Sequence, residues 1–280
     1  FSFSSRRLGM RILVLGVTGL IGSSIFYNLS LNKSFQVYGT SRNKNDDRKN
    51  VIPFDFKIGT SDLKSILKKN RPDYLINCIG ITKHIEETRN PLISISLNSL
   101  LPFIISEACE VSNSKLIHIS SDCVFAGDKG FYSEKDHPDS LDLYGKSKAL
   151  GEVINDKDLT IRTSTIGHEI VAKNGLLEWF LSQENSCKGF KRAIFSGLTT
   201  QELSKVIEKI ILSKKNIYGL FNIGGDSISK FNLLEIIAKV YLKKITINPE
   251  NNFVIDRSLD SSKFRNQIGY SPPTWEEMID

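Results

Sequence analysis

The feature that most constrains this chain is a glycine loop, Gly16-Val17-Thr18-Gly19-Leu20-Ile21-Gly22. It follows directly on the strand formers Arg11-Ile12-Leu13-Val14-Leu15, and its last residues open Leu20 to Leu31, an apolar stretch of helical spacing. In that order the first glycine permits a tight turn. The second lets the backbone approach an anion, and the third lets helix and sheet pack closely. The helix N-terminus adds unpaired N–H groups and a partial positive charge, a ready seat for a pyrophosphate. Glycine spacing alone fits a structural turn as well. The strand, loop and helix in sequence make Gly16, Thr18, Gly19, Leu20, Ile21 and Gly22 candidate dinucleotide contacts.

The alternation continues. Strands are expected at Gln36–Gly39, Val51–Phe54, Tyr74–Asn77, Lys115–Ile119 and Leu159–Ile161, with helices at Ser61–Lys69, Pro91–Val111 and Leu141–Ile154. Strands alternating with helices predict an α/β fold, a Rossmann-type doubly wound parallel sheet. After about Arg162 the rhythm loosens, with helices at Gly175–Ser182, Thr200–Ser213 and Lys230–Leu242. A smaller C-terminal substrate-binding lobe is expected there. The organisation read this way is an upstream segment at 1–9, a nucleotide-binding domain at 10–165 and the smaller substrate lobe at 166–280, with contributions from the nucleotide-binding part.

Composition excludes several classes. Lys and Arg number 37 against 31 Asp and Glu, and the net charge of +6 is spread without a basic block, so no nucleic-acid partner is expected. Cys78, Cys109, Cys123 and Cys187 form no CxxC pair and sit by no histidine cluster. Neither a metal site nor a disulfide framework is expected, and reduced intracellular thiols are the simpler reading. No apolar run approaches the ~20 residues that span a bilayer. The opening residues lack the apolar core of a signal peptide. A cytoplasmic protein without a membrane partner is therefore expected.

The end of the second strand selects the dinucleotide. A carboxylate there would accept from the adenosine ribose and repel a 2′-phosphate. This chain has Thr40-Ser41-Arg42-Asn43 and no acid before Asp46. A guanidinium suits a phosphate. Ser41 and Arg42 therefore favour NADP(H), with NAD(H) as the alternative; a merely solvated Arg42 is the bland reading. Asp55, with Phe56 beside it, is a candidate for the adenine end, and a turn role for Asp55 weighs equally.

Tyr144 and Lys148, at i and i+4 in Tyr144-Gly145-Lys146-Ser147-Lys148, share a helix face. A phenol with a pKa near ~10 is a poor acid at neutral pH. A nearby ammonium would lower it toward the working range. Ser120-Ser121-Asp122 follows the fifth strand at the carboxyl edge, where ligands of doubly wound sheets bind. Ser121 could hold a carbonyl oxygen while Tyr144 delivers a proton. A strand-end turn capped by Asp122 is the alternative.

On these residues the chain resembles the extended short-chain dehydrogenases/reductases, and within them the dTDP-4-dehydrorhamnose reductase group of nucleotide-sugar 4-reductases, over nearly its whole length from Met10. Further segments carry the likeness: Asn77-Cys78-Ile79-Gly80, Asn98 in Leu97-Asn98-Ser99-Leu100-Leu101-Pro102, Ile119 to Gly127, Leu159 to Ser164, Ser196 to Thr200 and Arg257 to Ser261. Ser121 stands for a threonine, Cys123 for a tyrosine and Ser258 for a proline. The resemblance implies that Cys78, Ile79 and Gly80 line the cofactor with Asn98 nearby, where Asn98 could equally bridge backbones. It implies that Ser121, Asp122 and Arg257 face a nucleotide-diphosphate sugar, an ion pair of Arg257 with Asp256 or Asp260 being the alternative. Lys83, His84, Glu86 and His168 face the sugar or the solvent.

Dehydratases of this superfamily carry Asp-Glu after the catalytic hydroxyl, whereas this chain has Asp122-Cys123, which disfavours elimination of water. Epimerases hold NAD and often carry an acid after the second strand. The expectation is NADPH-dependent reduction of a 4-keto nucleotide sugar in deoxysugar or polysaccharide biosynthesis, with Tyr144, Lys148 and Ser121 catalytic. An epimerase, or a non-catalytic NADP-binding regulatory subunit, is the alternative, and a homodimer is left open.

Overall fold

A computed structural model describes residues 9–57, 62–82, 90–170, 175–213 and 215–280. The first part has six strands, with helices between all neighbours in sequence but β2 and β3: β1 (Met10–Leu15), β2 (Phe35–Ser41), β3 (Val51–Pro53), β4 (Tyr74–Asn77), β5 (Lys115–Ile119) and β6 (Leu159–Arg162). Strand β10 (Gly219–Asn222) joins them in a seven-stranded sheet of order β10-β6-β5-β4-β1-β2-β3, and every pairing is parallel. This is the doubly wound order, with its switch point at β1. Leu15 lies level with Thr40 on one side and Asn77 on the other, so three strand ends meet at Gly16.

Side chains alternate across the sheet. Ile12 and Val14 point to one face with Ile25 and Leu29 of α1 (Leu20–Leu31) and Val206 and Ile210 of α7 (Thr200–Leu212). Leu13 and Leu15 point to the other, with Leu63 and Leu67 of α2 (Asp62–Asn70) and Leu101 and Ile105 of α4 (Leu101–Ser112). Both faces are covered, which a parallel sheet requires.

The helix expected at Pro91–Val111 has three parts: α3 (Pro91–Ser94), a π-helical segment (Ile95–Leu100) and α4. Pro102 explains the break, because it lacks the N–H that would serve the carbonyl of Asn98. Leu101 N–H instead reaches Ser96. Pro91–Ser112 is 22 residues long and contains an 18-residue window of mean hydropathy 1.6, long and apolar enough by length and composition to cross a membrane, against the expectation of no such run. Its apolar content has a place within the fold, since Leu101, Ile105, Ala108 and Cys109 are buried beside Leu116.

Beyond β6 the chain forms β7 (Thr165–Ile166), α6 (Leu176–Ser182), β8 (Ser186–Phe195), β9 (Leu198–Thr199), β11 (Ile228–Ser229), α8 (Lys230–Val240), β12 (Thr246–Asp256), α9 (Ser262–Ile268) and α10 (Trp275–Ile279). A three-stranded sheet, β11-β8-β12, packs a second core of Phe180, Phe195, Leu233 and Trp275. Between β9 and β11 the chain returns to the large sheet through α7 and β10.

Helix α5 (Leu143–Leu150) is shorter than the expected Leu141–Ile154. It starts where Asp142 accepts a hydrogen bond from Gly145 N–H at 2.7 Å and ends at Gly151. A Cβ on Gly151 would lie 1.9 Å from the Asn98 carbonyl oxygen, within the π-helical segment. Gly151→Ala should therefore lower unfolding free energy by about 2–3 kcal/mol, measured by urea denaturation; a loss below about 0.5 kcal/mol would show that the π segment yields freely.

Candidate active site

The glycine loop is shaped from both sides. Gly16 has φ +84°, and a Cβ on Gly22 would stand 2.2 Å from the Gly16 carbonyl. Gly19 differs: a Cβ there would meet only the Gly16 oxygen, at 3.6 Å, so the outer face of the loop is open. Gly19 is also the N-cap of α1 and supplies no side-chain cap. Open space beside an uncapped helix N-terminus suits a pyrophosphate. Thr18, Leu20 and Ile21 are half-buried on its rim. Thr40 anchors the loop, accepting from Gly16 N–H at its hydroxyl (3.2 Å) and from Val17 N–H at its carbonyl (3.0 Å).

The candidate catalytic groups stand where α5 meets the end of β5. Lys148 Nζ donates to the Ile119 carbonyl at 2.7 Å. The next residue, Ser120, donates to Glu152 Oε1 at 2.8 Å. The next again, Ser121, is hydrogen-bonded to the Tyr144 phenol. Ser121 Oγ also donates to Asp122 Oδ1 and accepts from Cys123 N–H, both at 3.1 Å. The cap of this turn is thus Ser121 rather than Asp122.

Burial sets the titration of the pair. It pushes the Tyr144 phenol well above its ordinary range; the Cys123 thiol, Asp122 and Asp142 add to that, and only the Ser121 hydrogen bond opposes it. The direction is opposite to the expected one because desolvation dominates, while the Lys148 ammonium is held by the Ile119 carbonyl. Burial also brings Lys148 down to about 8, against the pull of Glu152 and Cys78.

Cys78, Ile79 and Gly80 run from the end of β4 past Gly16 to Lys148. A Cβ on Gly16 would touch Ile79 at 3.2 Å, and one on Gly80 would lie 3.9 Å from Lys148 Nζ. Burial pushes the Cys78 thiol up to about 12. Asn98 is a bridge: its amide accepts from Ile81 N–H (3.1 Å) and donates to the Ile81 carbonyl (3.2 Å) and to Ser147 Oγ (3.1 Å). It thereby ties the β4 loop to α5.

Arg257 lies at the same edge, Nε donating to the Phe125 carbonyl at 2.8 Å and Nη1 standing 3.7 Å from Cys123 Sγ. Asp256 instead accepts from Ser258, and Asp260 from Ser262 N–H. At the adenine end Ser41 is buried, Arg42 and Asp55 are exposed and Phe56 is half-buried against the face of the large sheet that carries Leu13 and Leu15. His168 is held by Glu178 and Tyr241, each at 2.8 Å. Thr199 caps α7, and Ser196 Oγ accepts from Leu259 N–H. Lys83, His84 and Glu86 fall outside the described residues.

Sequence reasoning missed the groups behind this edge. Arg162, 2% exposed, grips Glu152 bidentately with both contacts at 2.7 Å and lies over the Phe125 ring. His118, also buried, meets Asn77 Nδ2 at its Nδ1 (3.1 Å) and is kept neutral by burial and by Lys148. A single signal pointed to Glu152: it lies four residues past Lys148.

The model of the family described as RmlD substrate binding domain matches residues 10–280. The dTDP-4-dehydrorhamnose reductase of Aggregatibacter actinomycetemcomitans is 24% identical over 96% of this chain and 97% of its own. Methionine adenosyltransferase 2 subunit beta of Danio rerio is 30% identical over 51% of this chain, which spans only 42% of that relative. Among solved structures, dTDP-4-dehydrorhamnose reductase from Bacillus anthracis, in complex with NADP, has a TM-score of 0.81 at 21% identity over 97% of both chains, a likeness of fold. The matched span takes in the glycine loop, the junction of β5 with α5 and Arg257 alike: the chain belongs to the RmlD substrate binding domain family.

Proposed function

We propose that this protein reduces the 4-keto group of a nucleotide-diphosphate sugar, with NADPH as preferred cofactor and NADH as the alternative. The observation that carries the reading is the Tyr144–Ser121 contact beside Lys148, at the sheet edge that also ends in an open, uncapped glycine loop. The full-length likeness to a protein named dTDP-4-dehydrorhamnose reductase supports the substrate class.

A bound nicotinamide cofactor supplies hydride to the keto carbon. Ser121 Oγ orients the keto oxygen by a hydrogen bond, and Tyr144 transfers its phenolic proton to that oxygen as negative charge develops. A phenol held protonated by burial is suited to the acid role, which reduction requires. The Lys148 ammonium stabilises the phenolate left behind, and the Ile119 carbonyl holds it in place. Asp122 and Arg257 flank this point, with Arg257 the candidate contact for the diphosphate. Cys123 stands where dehydration would need a second carboxylate, so elimination has no obvious base.

A second reading, a dinucleotide-binding subunit without turnover, draws on the partial likeness to methionine adenosyltransferase 2 subunit beta. Adding candidate 4-keto sugar nucleotides to the NADPH-loaded protein separates the two, since the subunit reading expects binding without oxidation. Tyr144→Phe should cut NADPH oxidation at least ~100-fold while cofactor binding persists, and turnover near the wild-type level would remove Tyr144 from the chemistry. Turnover should also decline as pH rises through about 8, where Lys148 loses its charge. A kcat profile level to pH ~10 would place the needed charge elsewhere.

A further inference from the structure

Arg42 is the arginine nearest the end of β2, yet its side chain is exposed, and among the described residues it enters no ion pair. Arg48 behaves differently. From the segment between β2 and β3 it reaches back over the glycine loop, where Nη1 donates to the Val17 carbonyl at 3.2 Å. Its Nε and Nη2 clasp the two oxygens of Asp46 at 2.8 and 2.6 Å. Asp46 in turn accepts from the hydroxyl of Ser41, the last residue of β2. Ser41, Asp46, Arg48 and Val17 therefore form one chain of contacts across the corner between β2 and the loop, where the adenosine ribose of a dinucleotide lies in doubly wound folds.

We infer that Arg48, aimed by Asp46, is the residue that recognises the 2′-phosphate of the cofactor, and that Arg42 is not. This inference rests on the proposed NADP(H) function. Three of the five guanidinium N–H groups are committed to Asp46 and Val17, which leaves two for a phosphate without breaking the ion pair. The guanidinium is partly exposed, with 35% of the side chain accessible, so a ligand can reach it. Being already held, it loses less conformational freedom on binding than a solvated Arg42 would.

Asp46 carries the opposite implication when read alone, because a carboxylate at this corner selects against a 2′-phosphate. Here Arg48 covers both of its oxygens, and the acid serves as a buttress. Arg48 also keeps Asp46 ionised down to about 2, so the pair persists across the working pH range.

The test uses two matched ligand pairs: NADPH with NADH, and adenosine 2′,5′-bisphosphate with 5′-AMP, which differ only in the 2′-phosphate. Calorimetric titration of the full chain and of Arg48→Ala, Arg48→Lys and Arg42→Ala reads binding without turnover. Arg48→Ala should weaken both 2′-phosphorylated ligands by about 10- to 100-fold and leave NADH and 5′-AMP within about twofold. Arg48→Lys should fall between, because it keeps charge without the planar fork, and Arg42→Ala should match the wild type. Equal losses for both members of a pair would mean that Arg48 only props the loop, and discrimination that disappears with Arg42 would assign the role to Arg42; either overturns the inference. Retained NADH binding shows that the variants are folded. A wild-type protein that binds neither dinucleotide would instead sink the proposed function itself.

Discussion

The arrangement of this molecule depends on how the end of β5 seats α5 and the turn that follows it. Three consecutive residues, Ile119, Ser120 and Ser121, engage Lys148, Glu152 and Tyr144 through a backbone carbonyl and two hydroxyls. Because each grip comes from the same short stretch of backbone, the phenol, the ammonium and the carboxylate move as one unit with the central sheet. Two further clamps act from the opposite side. Asn98 ties the β4 loop to Ser147, and Gly151 sits against the Asn98 carbonyl. The catalytic geometry is thus borrowed from the rigidity of a sheet packed on both faces.

Behind that edge, the Glu152–Arg162 pair is best understood as a positioning device. Taking two charges out of water is expensive, and a buried ion pair is weak evidence for stability. Glu152 satisfies the cost through three contacts, from Ser120 and from two nitrogens of Arg162, while Arg162 also lies 4.9 Å from the centre of the Phe125 ring. Its Nη1 is buried and has no hydrogen-bond partner among the described residues. The pair links β6 to the turn after α5 and places a negative charge near Lys148.

Much of this was legible from residue order. The glycine loop, the alternation of strands with helices and the Tyr144–Lys148 spacing are local patterns with local physical causes, and the strands they predict form the sheet. What escaped was set by long-range contact. The break at Ile95–Leu100 follows from Pro102, but its use as a seat for Gly151 joins segments far apart in the chain. The sign of the Tyr144 shift could not be read from an i, i+4 pair, because spacing says nothing of desolvation. Arg42 stood out because it is adjacent to β2, whereas Arg48 reaches the same corner through a loop that only the folded backbone closes. Strand β10, from beyond the 165/166 boundary, likewise joins the large sheet through a long-range pairing with β6.

That return of the chain has a mechanical consequence. The chain crosses between the large sheet and the three-stranded sheet on leaving β6, on entering α7 after β9 and on leaving β10 for β11, and α9 brings Phe264 and Ile268 back to the large core once more. A unit on one linker can swing and twist in any direction, and each further crossing removes some of that freedom. A single backbone cleavage between β6 and β11 would therefore leave the three-stranded sheet still held by the remaining crossings.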